Sequence, residues 1–554
     1  MTAAIYYQAD GYSTAGPALM GRNAAGESFL RGFLLHSRAS RFTVYARDAA
    51  TAAPFGEAVR VAGRTEPVEV IQPAMIASLQ GAGTLYYPGS DIGLRARERS
   101  IVGERLWSIC GVTHTTASKA ASDGITDLAT GATQPWDAVI CTSRAVRANV
   151  DAVLGAEIER LNARLGATRY PLPQLPIIPL GIHTADFAVD REGDAARLAA
   201  RAALGIDAGA VVVLYAGRLS FHAKANPAAM YQALEAAQAR VPGRRVVLIE
   251  CGWFANDGQR GAFDAAAQAL CPSIAILRVD GRERAGRDHA WAAADVFCSL
   301  ADNYQETFGL TPVEAMAAGL PVVATDWDGY RDTVRHGVDG FLVPTAAPMP
   351  GLAADLAARF ALNLHSYDRY CAYGSAFVAV DIAAAAEAFA ALFASPDLCR
   401  RMGAAGRARA VADYDWRVII GRYEDLWDEL AAIRGAGASG ERPPAPWPAR
   451  MDPFRSFESY PTKVLTPRST VALTDPTADL AQARLARLEG LEVFAFAEAV
   501  LPARDELLAL IGACAGGPRR VEQVIAVLPA VRAPWAVRTL AWLAKIGVVR
   551  IDPA

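Results

Sequence analysis

Paired cysteines, long apolar runs and an excess of either charge are all missing from this chain. Lys and Arg number 55 against 58 Asp and Glu, a formal net charge of −3. So even a balance offers no field to gather nucleic acid or an anionic membrane surface. The eight cysteines, Cys110, Cys141, Cys251, Cys271, Cys298, Cys371, Cys399 and Cys514, include no CxxC pair, so neither a zinc site nor a dithiol redox motif is indicated. Most stand in apolar runs, such as Cys141 in AVICTS and Cys298 in DVFCSL. They read as small buried apolar groups, which fits a reducing cytoplasm. No uninterrupted apolar run reaches about 18 residues, so no membrane-spanning helix is expected. The opening MTAAIYYQADGYS has neither the charged leader nor the apolar core of a signal segment, and a cytoplasmic location is expected.

What is present is repetition of an α/β pattern. At on the order of 150 residues per domain, 554 residues make three or four folding units, large enough to bury cores without disulfides. AAIYYQA, FTVYAR, TLYYPG and AVICTS read as strands between helix-like stretches. The first helix is expected from Glu27 to His36, after a Gly-containing loop that ends near Gly26. A second series runs through AVVVLYAGR, RRVVLIECGW, SIAILRVDG, ADVFCSL, LPVVATD and GFLVP. These runs are short, Val/Ile/Leu-rich and mostly unalternating, as in parallel strands covered on both faces. The expected fold is α/β, with two Rossmann-like doubly wound domains and a small, mainly helical C-terminal domain. The domains are placed at 1–185 and 186–413, and the amphipathic helix of 414–433 returns to the first. Its Trp416, Ile419, Ile420, Tyr423, Leu426, Trp427 and Leu430 form a core stripe. Gly/Pro/Ala-rich 434–469 reads as a linker. Residues 470–554, three short helices and a strand, look like a winged helix.

The chemistry concentrates in ADNYQETFGLTPVEAMAAGLPVVATDWDGYRDTV. Glu306 and Glu314 lie eight positions apart, one before a helix expected over Thr311–Ala318 and one inside it. Phe308, Gly309 and Leu310 sit where that helix begins, and free N–H groups with the helix dipole make an anion site there. After the strand AVVVLY, the segment AGRLSFHAKANP places Arg218 and Lys224 at the carboxyl end of a parallel sheet, where open α/β sheets bind ligands. Arg supplies bidentate donors to phosphate and Lys a mobile charge. A diphosphate held by Arg218, Lys224 and the amides near Gly309 is consistent with this pattern.

This E-x7-E segment, preceded by GRL and a Lys, resembles the retaining glycosyltransferases of family 4, which have the two-domain GT-B fold. The resemblance extends over most of residues 1–433. IPLGIHTADF resembles that family's inter-domain segment, with Leu180 and His183 in place of its usual Asn and Asp. The resemblance implies that Glu306 bonds the donor sugar, that Glu314 binds the ribose hydroxyls, and that Arg218 and Lys224 hold the diphosphate, although their spacing is one residue longer than the common Arg-x4-Lys. It further implies that Gly26 lets the backbone approach the donor phosphate and that His114, in GVTHT, is the active-site histidine. His183 and His222 carry no assigned role. The implied reaction keeps the anomeric configuration and needs neither cofactor nor metal, and no Asp-x-Asp metal motif is read at a strand end. The donor is a UDP-, GDP- or ADP-sugar bound in the cleft between 1–185 and 206–410, with a hinge near 181–205. The acceptor is unspecified, its pocket expected in loops such as 10–25 and 88–105. An epimerase, a phosphorylase or a non-catalytic binding protein on the same fold are the alternatives. For 470–554, dimerisation or docking of an acceptor protein is expected rather than DNA reading: its helix from Pro534 to Lys545 carries only Arg538 and Lys545 as long basic groups and an apolar surplus.

Overall fold

The computed structural model describes residues 2–13, 21–188, 195–436 and 447–552. It divides into two compact units, Met1–Trp447 and Pro448–Ala554. In the larger unit, two sheets of six strands share one topology. The first contains β1 (Ala3–Tyr6), β2 (Phe42–Tyr45), β3 (Val68–Ile71), β4 (Thr84–Tyr86), β5 (Ser108–Val112) and β6 (Ala138–Ile140), in the order β3-β2-β1-β4-β5-β6. The second contains β7 (Val211–Ala216), β8 (Val246–Gly252), β9 (Ala275–Asp280), β10 (Val296–Ser299), β11 (Val322–Thr325) and β12 (Gly340–Val343), in the order β12-β11-β10-β7-β8-β9. Every neighbouring pair in both sheets is parallel. Two doubly wound, Rossmann-ordered domains joined in this way are the GT-B arrangement. Strand β7 is buried along its whole length, which explains why its Val-rich run does not alternate.

The chain leaves the first domain near Ile182 and returns near Trp416, and the two crossings are bonded to each other. The amide of Ile182 donates to the Tyr414 carbonyl at 2.8 Å, and that of Trp416 to the Ile182 carbonyl at 3.1 Å. Helix Trp416–Ala436 then lays Trp416, Ile419, Ile420, Tyr423, Leu426, Trp427 and Leu430 into the core of the first domain. The aromatic stripe is therefore core. Trp416 fits where two side chains are missing: a Cβ on Gly32 or on Gly181 would lie 2.5 Å from the indole.

The first helix runs Gly21–His36, starting six residues before the expected Glu27. Gly26 is therefore a helical residue, and its bareness serves packing. A Cβ there would meet the Gly11 carbonyl oxygen at 2.1 Å, so Gly26 admits the short helix Ala9–Tyr12 against this one. Of the expected acceptor loop 10–25, residues 14–20 lie outside the described residues.

In the smaller unit, strand Thr470–Leu473 pairs antiparallel with Arg519–Arg520 and with Val549–Asp552. Helix Ala533–Lys545 uses its apolar residues more fully than expected. Leu540 and Leu543 are buried, Val537 and Trp542 pack on the same core, and only Trp535 is exposed among its large apolar groups. The helix is enclosed by neighbouring helices and a strand, so the expected surplus does not exist there. Apolar exposure falls instead on Val493, Phe496 and Val500. All eight cysteines are free, seven of them buried. No single helix among the described residues is long and apolar enough to cross a membrane.

One buried ion pair ties strand ends together in the first domain. Arg99 and Asp137 are fully buried and meet at 2.5 Å. Asp137 also accepts the amides of Ile109 and Gln134, while Arg99 donates to the Trp107 carbonyl. Removing one partner leaves the other charge buried and alone, which costs about 3–5 kcal/mol. Asp137→Ala is expected to lower unfolding stability by that amount in urea titration, whereas an effect below about 1 kcal/mol would show the pair to be dispensable.

Candidate functional site

Four of the expected residues converge at the carboxyl ends of β7 and β10. The loop after β7 opens on Gly217 at φ +148, a conformation that favours glycine. It then turns tightly, with the Lys224 amide on the Ser220 carbonyl at 3.0 Å. This turn absorbs the extra residue between Arg218 and Lys224 and brings the Lys224 Nζ to 2.5 Å from Glu306 Oε2. Arg218 reaches back through Nη2 to the Ala223 carbonyl at 3.0 Å and to Gln305 Oε1 at 3.4 Å.

Glu306 lies in the loop between β10 and helix Leu310–Ala317. Burial alone would raise its pKa. The Lys224 charge and hydrogen bond, with donors from the Tyr330 hydroxyl and the Gly309 amide, outweigh burial and hold it below the ordinary carboxylate value. Tyr330 shares its hydroxyl with Ser299 at 2.8 Å. Tyr330 also explains Gly309: this N-cap stands at φ +96, and a Cβ on it would lie 2.4 Å from the Tyr330 ring. The helix N-terminus thus lies beside Glu306, with the Tyr330 ring packed against its cap.

The other expected donor residues divide. Phe308 is buried and meets Tyr414 edge-on at 5.9 Å, and Leu310 packs on the same core. Their side chains are structural, so only their backbone is left for a ligand. Glu314, half-buried inside the helix, is pushed up to about 7 by burial, which the charges of Arg287 and Lys224 only partly counter. His114 follows β5 in the first domain, and its carbonyl accepts from Thr307 Oγ1 at 3.1 Å. Ser143, after β6, donates to the Thr307 carbonyl at 2.8 Å. The residue next to Glu306 is therefore gripped by two strand ends of the opposite domain. His183 and His222 do other work: a ring nitrogen of His183 meets the Ser28 carbonyl, and the His222 carbonyl accepts from Asn303.

An Asp-x-Asp does stand at a strand end, contrary to the sequence reading: Asp326-Trp327-Asp328 directly follows β11. Asp326 is paired with Arg331 at 3.1 Å. No group of three or more His, Cys, Asp or Glu that could hold a metal occurs among the described residues. Tyr330, Thr307 and Asp328 were not singled out as site residues by the sequence.

Residues 197–370 match the model of the glycosyl transferases group 1 family. The matched segment holds the Arg218, Lys224, Glu306 and Glu314 constellation. A phosphatidyl-myo-inositol mannosyltransferase of Mycobacterium leprae is 35% identical over 148 residues, 26% of this chain and 30% of its own length. A D-inositol 3-phosphate glycosyltransferase of Saccharomonospora viridis is 37% identical over 177 residues, 30% of this chain and 39% of its own length. The chain thus spans about a third of the length of these curated relatives. Among solved structures, HepE of Anabaena in complex with UDP is 18% identical, with a TM-score of 0.49, over 77% of this chain and 100% of the other.

The state of Glu314 can be read from stability. Its ordinary value is 4.5, and in the folded chain it stands at about 7. The folded state therefore holds this proton more tightly than the unfolded one. Its unfavourable contribution is absent below about pH 4.5, grows as pH rises towards 7, and is constant above. Glu314→Gln is expected to raise the melting temperature of the ligand-free chain at pH 8 and to leave it unchanged at pH 4. A gain equal at both values would contradict the assignment.

Proposed function

We propose that this chain is a retaining glycosyltransferase that moves a sugar from a nucleoside-diphosphate sugar to an acceptor hydroxyl. The observation that carries this reading is the Lys224–Glu306 pair at 2.5 Å beside the N-terminus of helix Leu310–Ala317. A cation, an ionised carboxylate and a helix N-terminus at one point suit a sugar diphosphate. Arg218 and Lys224 take the diphosphate, with the helix N-terminus as a third source of positive potential. Glu306, kept ionised, accepts hydrogen bonds from the donor sugar. Glu314, one helix turn and more beyond, accepts from the ribose hydroxyls. His114 lines the site from the first domain. The match over residues 197–370 supports the same reading.

In this reading the bond from the anomeric carbon to the diphosphate oxygen breaks and a bond from that carbon to the acceptor oxygen forms on the same face. The acceptor proton passes to the departing diphosphate. Catalysis then consists of holding charge on the leaving group and positioning the acceptor. Arg218 and Lys224 supply the positive charge, so turnover is expected to persist in EDTA; activity that requires Mg²⁺ or Mn²⁺ would assign a metal role to Asp326 and Asp328 instead.

The test is nucleotide release and sugar transfer with UDP-, GDP- and ADP-sugars, the donor being chosen by thermal shift. Lys224→Ala and Glu306→Ala are each expected to cut the rate on the order of 10²-fold or more with the circular dichroism spectrum unchanged. Near-wild-type turnover in both would refute the site.

A further inference from the structure

A cleft of about 280 Å³ opens between the two domains beside the donor loop. It is lined by Arg144, Ala145 and Ala148 from helix Arg144–Leu165 and by Asp328, Arg331 and Asp332 from the turn after β11. Its volume lies near the lower end for ligand pockets, about 300–1,000 Å³, and suits a single sugar ring. The two arginines are already committed. Arg144 gives its amide and its Nε to Asp332, at 2.6 and 2.5 Å, and Arg331 pairs with Asp326 at 3.1 Å. Asp328 differs from all of these: its Oδ1 is buried without a hydrogen-bond partner. Its backbone is also unusual, at φ +43 in the left-handed region, which Asp tolerates better than most residues but glycine adopts freely.

The neighbouring residue keeps this arrangement in place. A Cβ on Gly329 would lie 2.4 Å from the Phe308 Cα and 2.6 Å from the Thr307 carbonyl oxygen, so the turn rests directly on the loop that carries Glu306. A group held by Asp328 would therefore stand next to the donor sugar. We infer that Asp328 is the hydroxyl-accepting residue of an acceptor subsite in this cleft, and that the subsite takes a neutral sugar or polyol. The inference rests on the glycosyltransferase reading and adds the acceptor class to it. An O–H donor is what the unpartnered carboxylate oxygen lacks. An anion is disfavoured, because the charges of Arg144 and Arg331 are already balanced by Asp332 and Asp326, and Asp328 adds a third carboxylate beside them. Asp328 is moreover pushed up to about 8, first by burial and then by the nearby Glu306 charge. That is the response expected of a carboxyl group short of donors.

The test titrates the full chain, saturated with whichever of UDP, GDP and ADP raises its melting temperature most, with methyl α-D-glucopyranoside and with glucose 6-phosphate as the neutral and anionic probes. Asp328→Gly removes the carboxyl group while suiting the positive φ, so the fold is retained, and Asp328→Asn keeps one accepting oxygen. The expected result is that the neutral glycoside binds the wild type more tightly than the phosphate does. Asp328→Gly should weaken its binding at least tenfold, and Asp328→Asn by less. Equal affinity in Asp328→Gly and wild type, tighter binding of glucose 6-phosphate, or no binding of the glycoside to the wild type would each overturn the assignment. Nucleotide affinity, measured in the same samples, separates the two levels. A wild-type chain that binds none of UDP, GDP and ADP speaks against the glycosyltransferase reading itself. Nucleotide binding with unchanged glycoside affinity in Asp328→Gly overturns the Asp328 subsite alone.

Discussion

Trp416 occupies the one place through which the chain must pass twice. Its indole rests where Gly32 and Gly181 carry no side chains, and its Nε1 donates to Ser28 Oγ at 2.7 Å. The first helix, the outgoing crossing and the returning helix are thus fixed to a single ring. Domains joined by two strands of chain could twist against each other if the strands were separate. Here the backbone bonds between Ile182 and residues 414 and 416 make them one short ribbon.

A second set of contacts between the two domains is of another kind. Thr307 bonds to His114 and Ser143, and Arg144 bonds to Asp332, each at a strand end or helix start. These are polar bonds, whereas the crossing of the chain is a buried aromatic packing. A polar bond contributes modestly in net terms, while pulling a tryptophan from a packed core costs several times more.

Much of this was legible in the sequence, and the boundary follows a physical line. Both strand series were readable because parallel strands buried on both faces are written in unbroken Val, Ile and Leu. The Glu306, Glu314, Arg218 and Lys224 set was readable because it is linear: a carboxylate pair at fixed spacing on a loop and helix, and two cations after a strand. The packing of Gly26 on Gly11 was not readable, because a glycine that admits a distant backbone looks identical, in sequence, to one that admits a phosphate. Asp326-Trp327-Asp328 was passed over, since its pattern is common and its meaning depends on Arg331 and on the backbone at residue 328. Tyr330 escaped for a similar reason. It acts on Gly309, a contact that exists only after β10 and β11 have paired.

That last contact links fold to chemistry most directly. The Tyr330 ring fills the space that a side chain at 309 would need, and its hydroxyl reaches Glu306 at 3.4 Å. One residue thereby demands glycine at the helix cap and helps hold the adjacent carboxylate ionised. Since Gly329 is pressed onto the Phe308 backbone just before Tyr330, the turn after β11 sets the position of the whole loop 306–309. The site's electrostatics are therefore a property of how two neighbouring strands end. A side chain added at Gly329 should therefore act on the donor loop through its shape before it acts through charge.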